Sequence, residues 1–386
     1  MNRRTLLRNG SLAVLGLAAN ACAPKSAAVV TRAAKRPPVV LPRVKISWDR
    51  VIRTTIGLRP HRPGGFVLKA DKLDAKTLIH NYGHGGAGMS LSWGTASMAA
   101  DLAMQQQDRK AAVLGGGVVG MTTARELQRR GFDVTIYAAT LPPDVTSNWS
   151  LAGFTPTSGL STAAARTPEW TAQFTQAVDI AYRRLQLLIG PRYGISWITN
   201  YSPTDDERMI TGSNSLLPEH IQGAKLLLGP GEHPFPSKYA IERPEMRIEP
   251  SIYLEALLAD FRLFGGAIVV RKFETPAQIA ALSEGLVVNC TGLGAKALFG
   301  DPDLIPLKGQ LTVLVPQPEI QYSTSGGSTV RSSEPGLGIH MMPRSDGIIL
   351  GGTSERDIWT FDVNESERKR IVEGHIELFN SMKSPT

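Results

Sequence analysis

Cysteine is scarce in this chain of 386 residues, which contains only Cys22 and Cys290. Two cysteines cannot form the disulfide network that holds a small secreted domain together. Cys290 lies in an apolar run, so we expect it to be a buried thiol that packs as a small hydrophobic residue. A hydrophobic core must therefore hold the fold. The 42% hydrophobic residues, 38 glycines and 26 prolines are typical of a loop-rich α/β enzyme.

Acidic residues are absent from positions 1–45, which contain nine lysines and arginines. This segment accounts for the formal net charge of +8, because removing its nine cations from the 42 leaves 33 basic against 34 acidic residues. The remainder of the chain is nearly neutral. A basic nucleic-acid-binding surface is therefore not expected.

The N-terminus has the three parts of an export signal and is too short for a membrane span. Arg3 and Arg4 begin a basic segment, Leu12–Ala19 is apolar, and small residues lead to Cys22. The paired arginines resemble a twin-arginine signal, which predicts export to the periplasm. Cleavage after Ala21 and lipidation of Cys22 remain alternatives, and only lipidation would anchor the protein to a membrane. An unstructured N-terminus is the remaining alternative.

A dinucleotide-binding pattern lies in the middle of the chain. The apolar run Ala111–Leu114 predicts a strand, the glycine-rich Gly115–Gly120 follows, and we expect a helix over Met121–Arg130 and a second strand over Phe132–Tyr137. Strand, G-x-G-x-x-G, helix and strand within about 30 residues are the context that makes this motif informative.

Each glycine of the motif has a physical function. Gly115 allows the tight turn, Gly117 lets the backbone approach a pyrophosphate, and Gly120 lets the helix pack on the strand. The acidic residue that usually contacts the ribose is missing, because the second strand ends in Tyr137–Thr140. We therefore expect the ribose contact to come from elsewhere, which argues mildly against tight NAD binding and leaves FAD open.

A second glycine-rich region precedes this unit. Gly57–Pro63 contains Arg59, which could form a bidentate pair with a carboxylate. His80–Ser90 then forms a glycine-dense turn before a predicted helix over Ser92–Met104. Such a turn brings backbone close to a ligand and directs a helix dipole at it. No His, Cys or carboxylate cluster has the spacing of metal ligands, so no metal is expected.

These motifs resemble the D-amino-acid oxidase family. The matches cover residues 45–386 and include the G-x-R-P-x-R and HNYGHGG-x-G motifs and, later, Val287–Gly292, Lys308–Gln310 and Met342–Arg344. In the family, the first two motifs close the chain, whereas here they precede the first Rossmann strand. The resemblance therefore implies a circular permutation, which requires only that the family's termini lie close together.

The resemblance implies an α/β fold with a Rossmann-type FAD-binding domain and a mixed or antiparallel-sheet substrate domain. The expected organisation is an export signal (1–22), a linker (23–44), the permuted segment (45–104), a Rossmann core (105–160), substrate-domain elements (161–270), a return to the FAD domain (271–310) and a substrate-domain sheet (311–386).

Site residues are carried over by the same resemblance. Arg59 would bind the substrate carboxylate, the carbonyl of Gly86 would accept a hydrogen bond from the amine, and His340 replaces a carboxylate-binding tyrosine. Gly336 stands where the family has its second tyrosine. Two alternatives remain for His340: a substrate ligand or a strand histidine that faces solvent. The residues expected to contact FAD are Gly85, Ala87, Gly88, Met89, Ser90, Gly115, Gly117, Val118, Val119, Gly120, Ser147, Asn148, Gly153, Phe273 and Thr291.

The implied function is oxidative deamination of a D-amino acid. Hydride would pass from the substrate Cα to flavin N5, O2 would be reduced to H2O2, and the imine would hydrolyse to a 2-oxo acid and ammonia. Two alternatives remain: a glycine-oxidase-like or other amine dehydrogenase, and a non-catalytic flavin-binding envelope protein. His80, Tyr82, His84 and Trp93 are expected to pack and to shape the loop instead of reacting.

Overall fold

Two β-sheets organise the chain in the computed structural model, which describes residues 37–212, 214, 216–326 and 338–383. The strands of the described residues are β1 (Val51–His61), β2 (Val67–Leu73), β3 (Lys76–Tyr82), β4 (Lys110–Leu114), β5 (Asp133–Ala138), β6 (Ile195–Thr204), β7 (Leu226–Leu228), β8 (Tyr239–Ile248), β9 (Ala267–Val270), β10 (Leu286–Asn289), β11 (Ile305–Leu314), β12 (Tyr322–Ser325), β13 (His340–Arg344), β14 (Gly347–Gly351) and β15 (Glu355–Arg356).

The helices lie between these strands or cover the sheets. Those of the described residues are α1 (Gly88–Ala103), α2 (Val118–Arg129), α3 (Pro168–Gln186), α4 (Glu219–Gln222), α5 (Pro250–Leu263), α6 (Pro276–Ala280), α7 (Gly294–Phe299) and α8 (Glu365–Asn380). Helices α1 and α2 pack against each other, and α3 packs on α1.

The six-stranded sheet has the order β2-β3-β10-β4-β5-β9, and all its pairs are parallel except β2 with β3. Its central strands β4 and β10 are apolar along almost their whole length and buried, as expected for a parallel sheet covered on both faces. The strand–glycine loop–helix–strand unit predicted from the sequence is β4, α2 and β5. The strand order changes direction beside β4, which is where such sheets bind ligands.

The nine-stranded sheet has the order β1-β11-β14-β13-β12-β6-β8-β7, and β15 also pairs with β11. Its pairs are antiparallel except β12 with β6, so the sheet is mixed. The predicted fold class is confirmed. The segment 45–104 contributes to both sheets, since β1 pairs with β11 while β3 pairs with β10.

Several element boundaries differ from the sequence predictions. Helices α1 and α2 begin at Gly88 and Val118, earlier than the predicted Ser92 and Met121, because residues of the glycine motifs themselves form the first helical turns. Strand β9, expected among the substrate-domain elements, pairs with β5 in the six-stranded sheet. Strand β11 begins at Ile305 in the nine-stranded sheet, so the return to the other sheet ends before residue 310.

Residues 38–44, expected as the end of the linker, belong to the folded body. The Val39 N–H donates to the carbonyl of Glu232 at 3.0 Å, and the Tyr322 hydroxyl donates to the carbonyl of Pro42 at 2.8 Å. Val44 is 1% exposed. Apolar residues at alternate positions let this extended segment pack on the core, which overrides its proline-rich composition. The predicted export signal lies outside the described residues, among which no helix is long and apolar enough to cross a membrane.

Candidate active site

A cavity of about 900 Å³ lies between the two sheets. At one end its wall is the glycine loop after β4 and the loop after β10, which includes Thr291. At the other end its wall is the inner face of β1, β11, β12, β13 and β8 in the nine-stranded sheet. The cavity therefore begins at the carboxyl ends of the parallel strands, where α/β sheets bind their ligands.

The start of α2 faces the cavity with its backbone. The Ser147 hydroxyl accepts a hydrogen bond from the Val118 N–H at 3.0 Å, while the other N–H groups of the first turn have no acceptor within the helix. Gly120 holds this turn against the loop, since a Cβ added there would lie 2.0 Å from the carbonyl oxygen of Gly115. Because N–H groups and the helix dipole converge here, this end of the cavity suits an anion.

The start of α1 meets the same cavity. Gly85 has a φ of +54°, and a Cβ there would lie 1.9 Å from the carbonyl oxygen of Gly159, so only glycine fits. The Gly85 and Gly86 N–H groups donate to the carbonyls of Pro60 and Ser158 at 2.7 and 2.9 Å. A Cβ on Gly88 would lie 3.6 Å from the Val118 side chain, so the two helices begin side by side. Two helix dipoles therefore point at one cavity.

Arg59 extends from β1 into the cavity wall. Its Nε donates to the carbonyl of Leu307 at 3.0 Å, and an Nη donates to the carbonyl of Thr353 at 3.2 Å. Burial lowers the pKa of the guanidinium to about 10. Among the described residues no carboxylate pairs with it. A cation held by two backbone carbonyls, with no counter-ion, is suited to receive an anion from the cavity.

His340 lines the cavity at the start of β13 and pairs with Ser325 and Gly351 of the neighbouring strands. Burial, with smaller contributions from Arg243 and Arg370, lowers the pKa of its imidazole to about 4. The side chain is therefore neutral at pH 7 and faces the cavity, not bulk solvent. It can donate one N–H to a ligand but brings no positive charge. Gly336 lies outside the described residues.

Two charged residues of β8 that were not predicted from the sequence also line the cavity. They are Arg243 and Glu245. They lie two positions apart on one strand, so their side chains project from the same face. The alternation of charged residues in Tyr239–Ile248 was the available signal. It did not reveal which face of the strand would be covered, because that depends on partners distant in sequence.

The match to a known family covers most of the chain. The family model described as DAO, FAD dependent oxidoreductase, matches residues 110–385. The chain belongs to this family of FAD-dependent oxidoreductases. This protein is therefore an FAD-dependent oxidoreductase of the DAO type, and its cofactor is FAD.

Relatives in sequence carry consistent names. The chain is 24% identical over 282 residues to a D-amino acid oxidase of Dugesia ryukyuensis, with 70% of this chain and 78% of the relative covered. It is 28% identical over 273 residues to a D-amino-acid oxidase of Streptomyces coelicolor (69% and 77% covered). In structure it is similar to a glycine oxidase of Bacillus cereus, with a TM-score of 0.51, 15% identity and 72% and 81% covered.

The residues around the cavity fit FAD. Gly115, Gly117 and the start of α2 offer backbone to the pyrophosphate, and the start of α1 lies beside them for the flavin end. At the adenosine end the wall includes Phe273, whose ring lies edge-on to Tyr137 at 5.8 Å. Glu274, also in this wall, is a candidate for the ribose contact that the sequence analysis expected from elsewhere, although it pairs with Lys272 at 2.9 Å.

Most of the predicted site residues meet at the cavity. Those that line it are Arg59, Gly85, Gly86, Gly88, Met89, Gly115, Gly117, Val118, Val119, Ser147, Gly153, Phe273, Thr291 and His340. Four do not line it. Gly120 and Ala87 are packed within the protein, the Ser90 hydroxyl accepts from the Thr155 N–H at 2.8 Å, and Asn148 is 6% exposed. These four lie behind the cavity wall and support it.

Hydrogen bonds within the protein engage Tyr82 and His84 of the HNYGHGG turn and Trp93 of α1, although Tyr82 and His84 also line the cavity. The Tyr82 hydroxyl donates to Asp301 at 2.8 Å, and the Trp93 indole donates to the Tyr253 hydroxyl at 2.6 Å. His84 bonds to the Thr95 hydroxyl at 2.9 Å, and burial lowers its pKa to about 3. These contacts agree with packing and loop-shaping roles. No group of three potential metal ligands occurs among the residues described.

Proposed function

We propose that this protein oxidises a free α-amino acid, with Arg59 as the residue that binds the substrate carboxylate. The observation that carries the proposal is the environment of Arg59: a cation in the cavity wall, held by two backbone carbonyls and without a carboxylate partner among the described residues. A partly buried cation without a counter-ion has lost some of its water, so a bound carboxylate offsets this cost.

The geometry next to Arg59 orients the rest of the substrate. A Cβ added to Gly86 would lie 3.4 Å from Cδ of Arg59, so the glycine backbone and the arginine stem are in contact. A substrate held by a bidentate pair with Arg59 then presents its amine towards the Gly86 carbonyl, which accepts a hydrogen bond. Fixing these two groups defines the position of the Cα–H bond, which is the main contribution the protein can make.

FAD, when bound, supplies the two-electron acceptor. The amino acid loses two electrons and two protons to become an imine, and water converts the imine to a 2-oxo acid and ammonia. We infer that the preferred enantiomer is D and that O2, reduced to H2O2, is the final acceptor. The relatives named D-amino acid oxidases support this choice.

The first experiment is an anaerobic titration of the FAD-loaded protein, followed by visible absorbance. D-amino acids, L-amino acids and N-methyl glycines are added in turn, and then air is admitted. We expect the D-enantiomers to bleach the flavin bands and air to restore them with release of H2O2. Bleaching by L-amino acids or N-methyl glycines alone would overturn the assignment of D-amino acids.

Arg59→Ala tests whether Arg59 binds the substrate carboxylate. We expect kcat/KM for amino acids to fall by about 10³-fold, since a bidentate charged pair is worth about 3–5 kcal/mol when it is desolvated, while FAD stays bound. Arg262→Ala, an exposed arginine on α5, is the matched control. Unchanged kinetics in Arg59→Ala would show that another group binds the carboxylate.

We also infer that the protein is exported to the periplasm through its twin-arginine-like N-terminus. The paired Arg3 and Arg4, followed by the apolar Leu12–Ala19, support this. Replacing both arginines by lysine keeps the charge, and we expect it to retain the protein in the cytoplasmic fraction. Unaltered export would contradict the assignment. The mass of the exported protein distinguishes cleavage after Ala21 from lipidation of Cys22.

A further inference from the structure

Arg243 and Glu245 form a pair of opposite charges on the cavity wall. They project from the same face of β8, yet they do not form an ion pair within 4.0 Å with each other or with any described residue. Exposed ion pairs contribute little, but charges in a cavity wall lose water when a ligand fills it. A ligand that fills this cavity must therefore provide partners for both charges.

A polar network orients the two side chains. In the sheet register Asn200 lies directly opposite Arg243, and Ser323 lies opposite Asn200, so the three share one face. The Arg243 Nε donates to the Asn200 Oδ1 at 3.2 Å, and the Ser323 hydroxyl donates to a carboxylate oxygen of Glu245. The terminal nitrogens of Arg243 and the second oxygen of Glu245 have no hydrogen-bond partner among the described residues.

Neighbouring hydroxyls reinforce Asn200. Its Oδ1 also accepts from the Ser202 and Ser325 hydroxyls, at 3.1 and 3.2 Å, and its Nδ2 donates to the Ser323 hydroxyl at 2.9 Å. Asn200 is 2% exposed, so this network lies behind the wall. The neutral groups of the network hold Arg243 and Glu245 in place without neutralising either one, as a ligand-binding site requires.

Arg243 and Glu245 lie on a different part of the cavity wall from Arg59. Arg59 is on β1, at one edge of the sheet order, whereas Arg243 and Glu245 are on β8, near the other edge. Both ends line one cavity, so the sheet wraps around it. A substrate whose carboxylate is bound by Arg59 would therefore extend its distal group along the cavity towards the pair on β8.

The charges select the chemistry of that distal group. A carboxylate there pairs with Arg243 but is repelled by Glu245. An ammonium group pairs with Glu245 but is repelled by Arg243. An apolar group leaves both charges without water or partner. A neutral carboxamide or ureido group satisfies both, because its carbonyl oxygen accepts from Arg243 and its N–H donates to Glu245.

We propose that Arg243 and Glu245 make this enzyme selective for amino acids whose side chains end in a carboxamide or ureido group. This inference rests on the proposed function, in which Arg59 holds the opposite end of the substrate. Arg243 accounts for acceptance of the carbonyl and Glu245 for rejection of a terminal carboxylate.

The test compares substrates that share a backbone and differ at the distal group. Anaerobic flavin reduction is measured with D-glutamine, D-citrulline, D-glutamate and D-norleucine. We expect kred/Kd for D-glutamine or D-citrulline to exceed that for D-glutamate and D-norleucine by at least about tenfold, as for a site that loses one partnered hydrogen bond. Equal or faster reduction by D-norleucine would overturn the inference and leave the proposed function intact.

Two variants separate the roles of the pair. Glu245→Gln should lower the preference for D-glutamine over D-glutamate by at least about tenfold, because the repulsion is removed. Arg243→Met should lower kred/Kd for D-glutamine by a similar factor and leave that for D-norleucine within about threefold. Glu255→Gln and Arg262→Met, exposed positions on α5, are the matched controls. Equal losses for all substrates in both variants would indicate a merely structural role and contradict the inference.

Binding without turnover separates this inference from the proposed function. Glutaramate, glutarate and hexanoate are D-glutamine, D-glutamate and D-norleucine without the α-amino group, and their affinities are read from the shift in thermal unfolding of the FAD-loaded protein. We expect glutaramate to bind most tightly, and Arg243→Met to abolish that advantage. If no amino acid reduces the flavin, the proposed function fails, while these affinities still decide the selectivity. If glutaramate binds no better than hexanoate, the inference fails.

Discussion

Replacing Gly120 by alanine tests whether the contact between α2 and the glycine loop determines FAD binding. The added Cβ would lie 2.0 Å from the Gly115 carbonyl oxygen and 2.9 Å from the Gly115 carbonyl carbon. Both are backbone atoms, so the clash cannot be relieved by turning a side chain. The start of α2 or the loop itself must move by roughly 1 Å to restore an ordinary carbon–oxygen contact.

Two effects of opposite sign contribute to this substitution. Alanine is favoured over glycine within a helix by about 1 kcal/mol. Overpacking against backbone costs about 1–3 kcal/mol, and in this case the overlap is large. We therefore expect net destabilisation of the apoprotein by about 1–2 kcal/mol. The larger effect is on FAD, because a shift of roughly 1 Å moves the N–H groups of Gly117 and Val119, which line the cavity, away from where a pyrophosphate would accept from them. Losing two such hydrogen bonds to a charged group, at about 1.5–3 kcal/mol each, weakens binding by at least about 10²-fold.

FAD affinity is measured by quenching of flavin fluorescence, and apoprotein stability by thermal unfolding followed by circular dichroism. Gly64→Ala is the matched control, because a Cβ there meets nothing closer than 3.9 Å. We expect the control to bind FAD as the parent does. An affinity for FAD within twofold of the parent in Gly120→Ala, with unchanged stability, would refute the reasoning.

Three further predictions follow from the packing of the described residues. Burial lowers the pKa of His375 to about 4 from 6.5, so the unfolded chain binds an extra proton between these pH values and acid favours unfolding. The free energy of unfolding of His375→Leu, relative to the parent, should therefore rise by up to about 1.4 kcal/mol per pH unit as the pH falls from 6.5 to 4. Urea unfolding measures this difference, and a difference that does not change with pH would contradict the prediction. An Arg43 side-chain nitrogen donates to the Met382 carbonyl, so the two ends of the folded body lie close together. A reordered chain, in which a short linker joins residue 382 to residue 43 and new termini open within Gln105–Arg109, should therefore fold and bind FAD. If this reordered chain is soluble but does not bind FAD, the result argues against the inferred permutation. Burial raises the pKa of the Cys290 thiol to about 12. In a form that lacks the first 22 residues, and with them Cys22, Ellman's reagent should therefore label Cys290 only after unfolding. Rapid labelling of the native protein would show that the thiol is accessible and would contradict the prediction.

Local sequence patterns were sufficient for the parts of the fold that depend on neighbours in the chain. The apolar run before Gly115, the glycine spacing and the alternating strand after them predicted the unit β4, α2 and β5. The motif around Arg59 and the turn at Gly85 predicted residues that the structure brings to one cavity. Glycine is informative in this way because the contacts that exclude a Cβ lie in or near the same motif.

Pairing between distant segments was not accessible from such patterns. Strand β9 joins the six-stranded sheet through β5, and residues 38–44 pack on the body, through partners that are distant in sequence. The Arg59 side chain is also held by the carbonyls of residues 307 and 353, which are nearly 250 and 300 positions away in the chain. Sheet order is a property of long-range contacts, which a local pattern does not contain.

The sequence by itself determined the fold class and the cofactor loop, and it singled out Arg59 as the candidate for the substrate carboxylate, because each depends on a short motif whose chemistry is local. Only the tertiary structure decided that His340 is neutral within the cavity and that Arg243 and Glu245 face it without partners. The physical reason is that burial and charge compensation depend on which side chains from other strands surround a group, and those neighbours come together only when the sheet closes around the cavity.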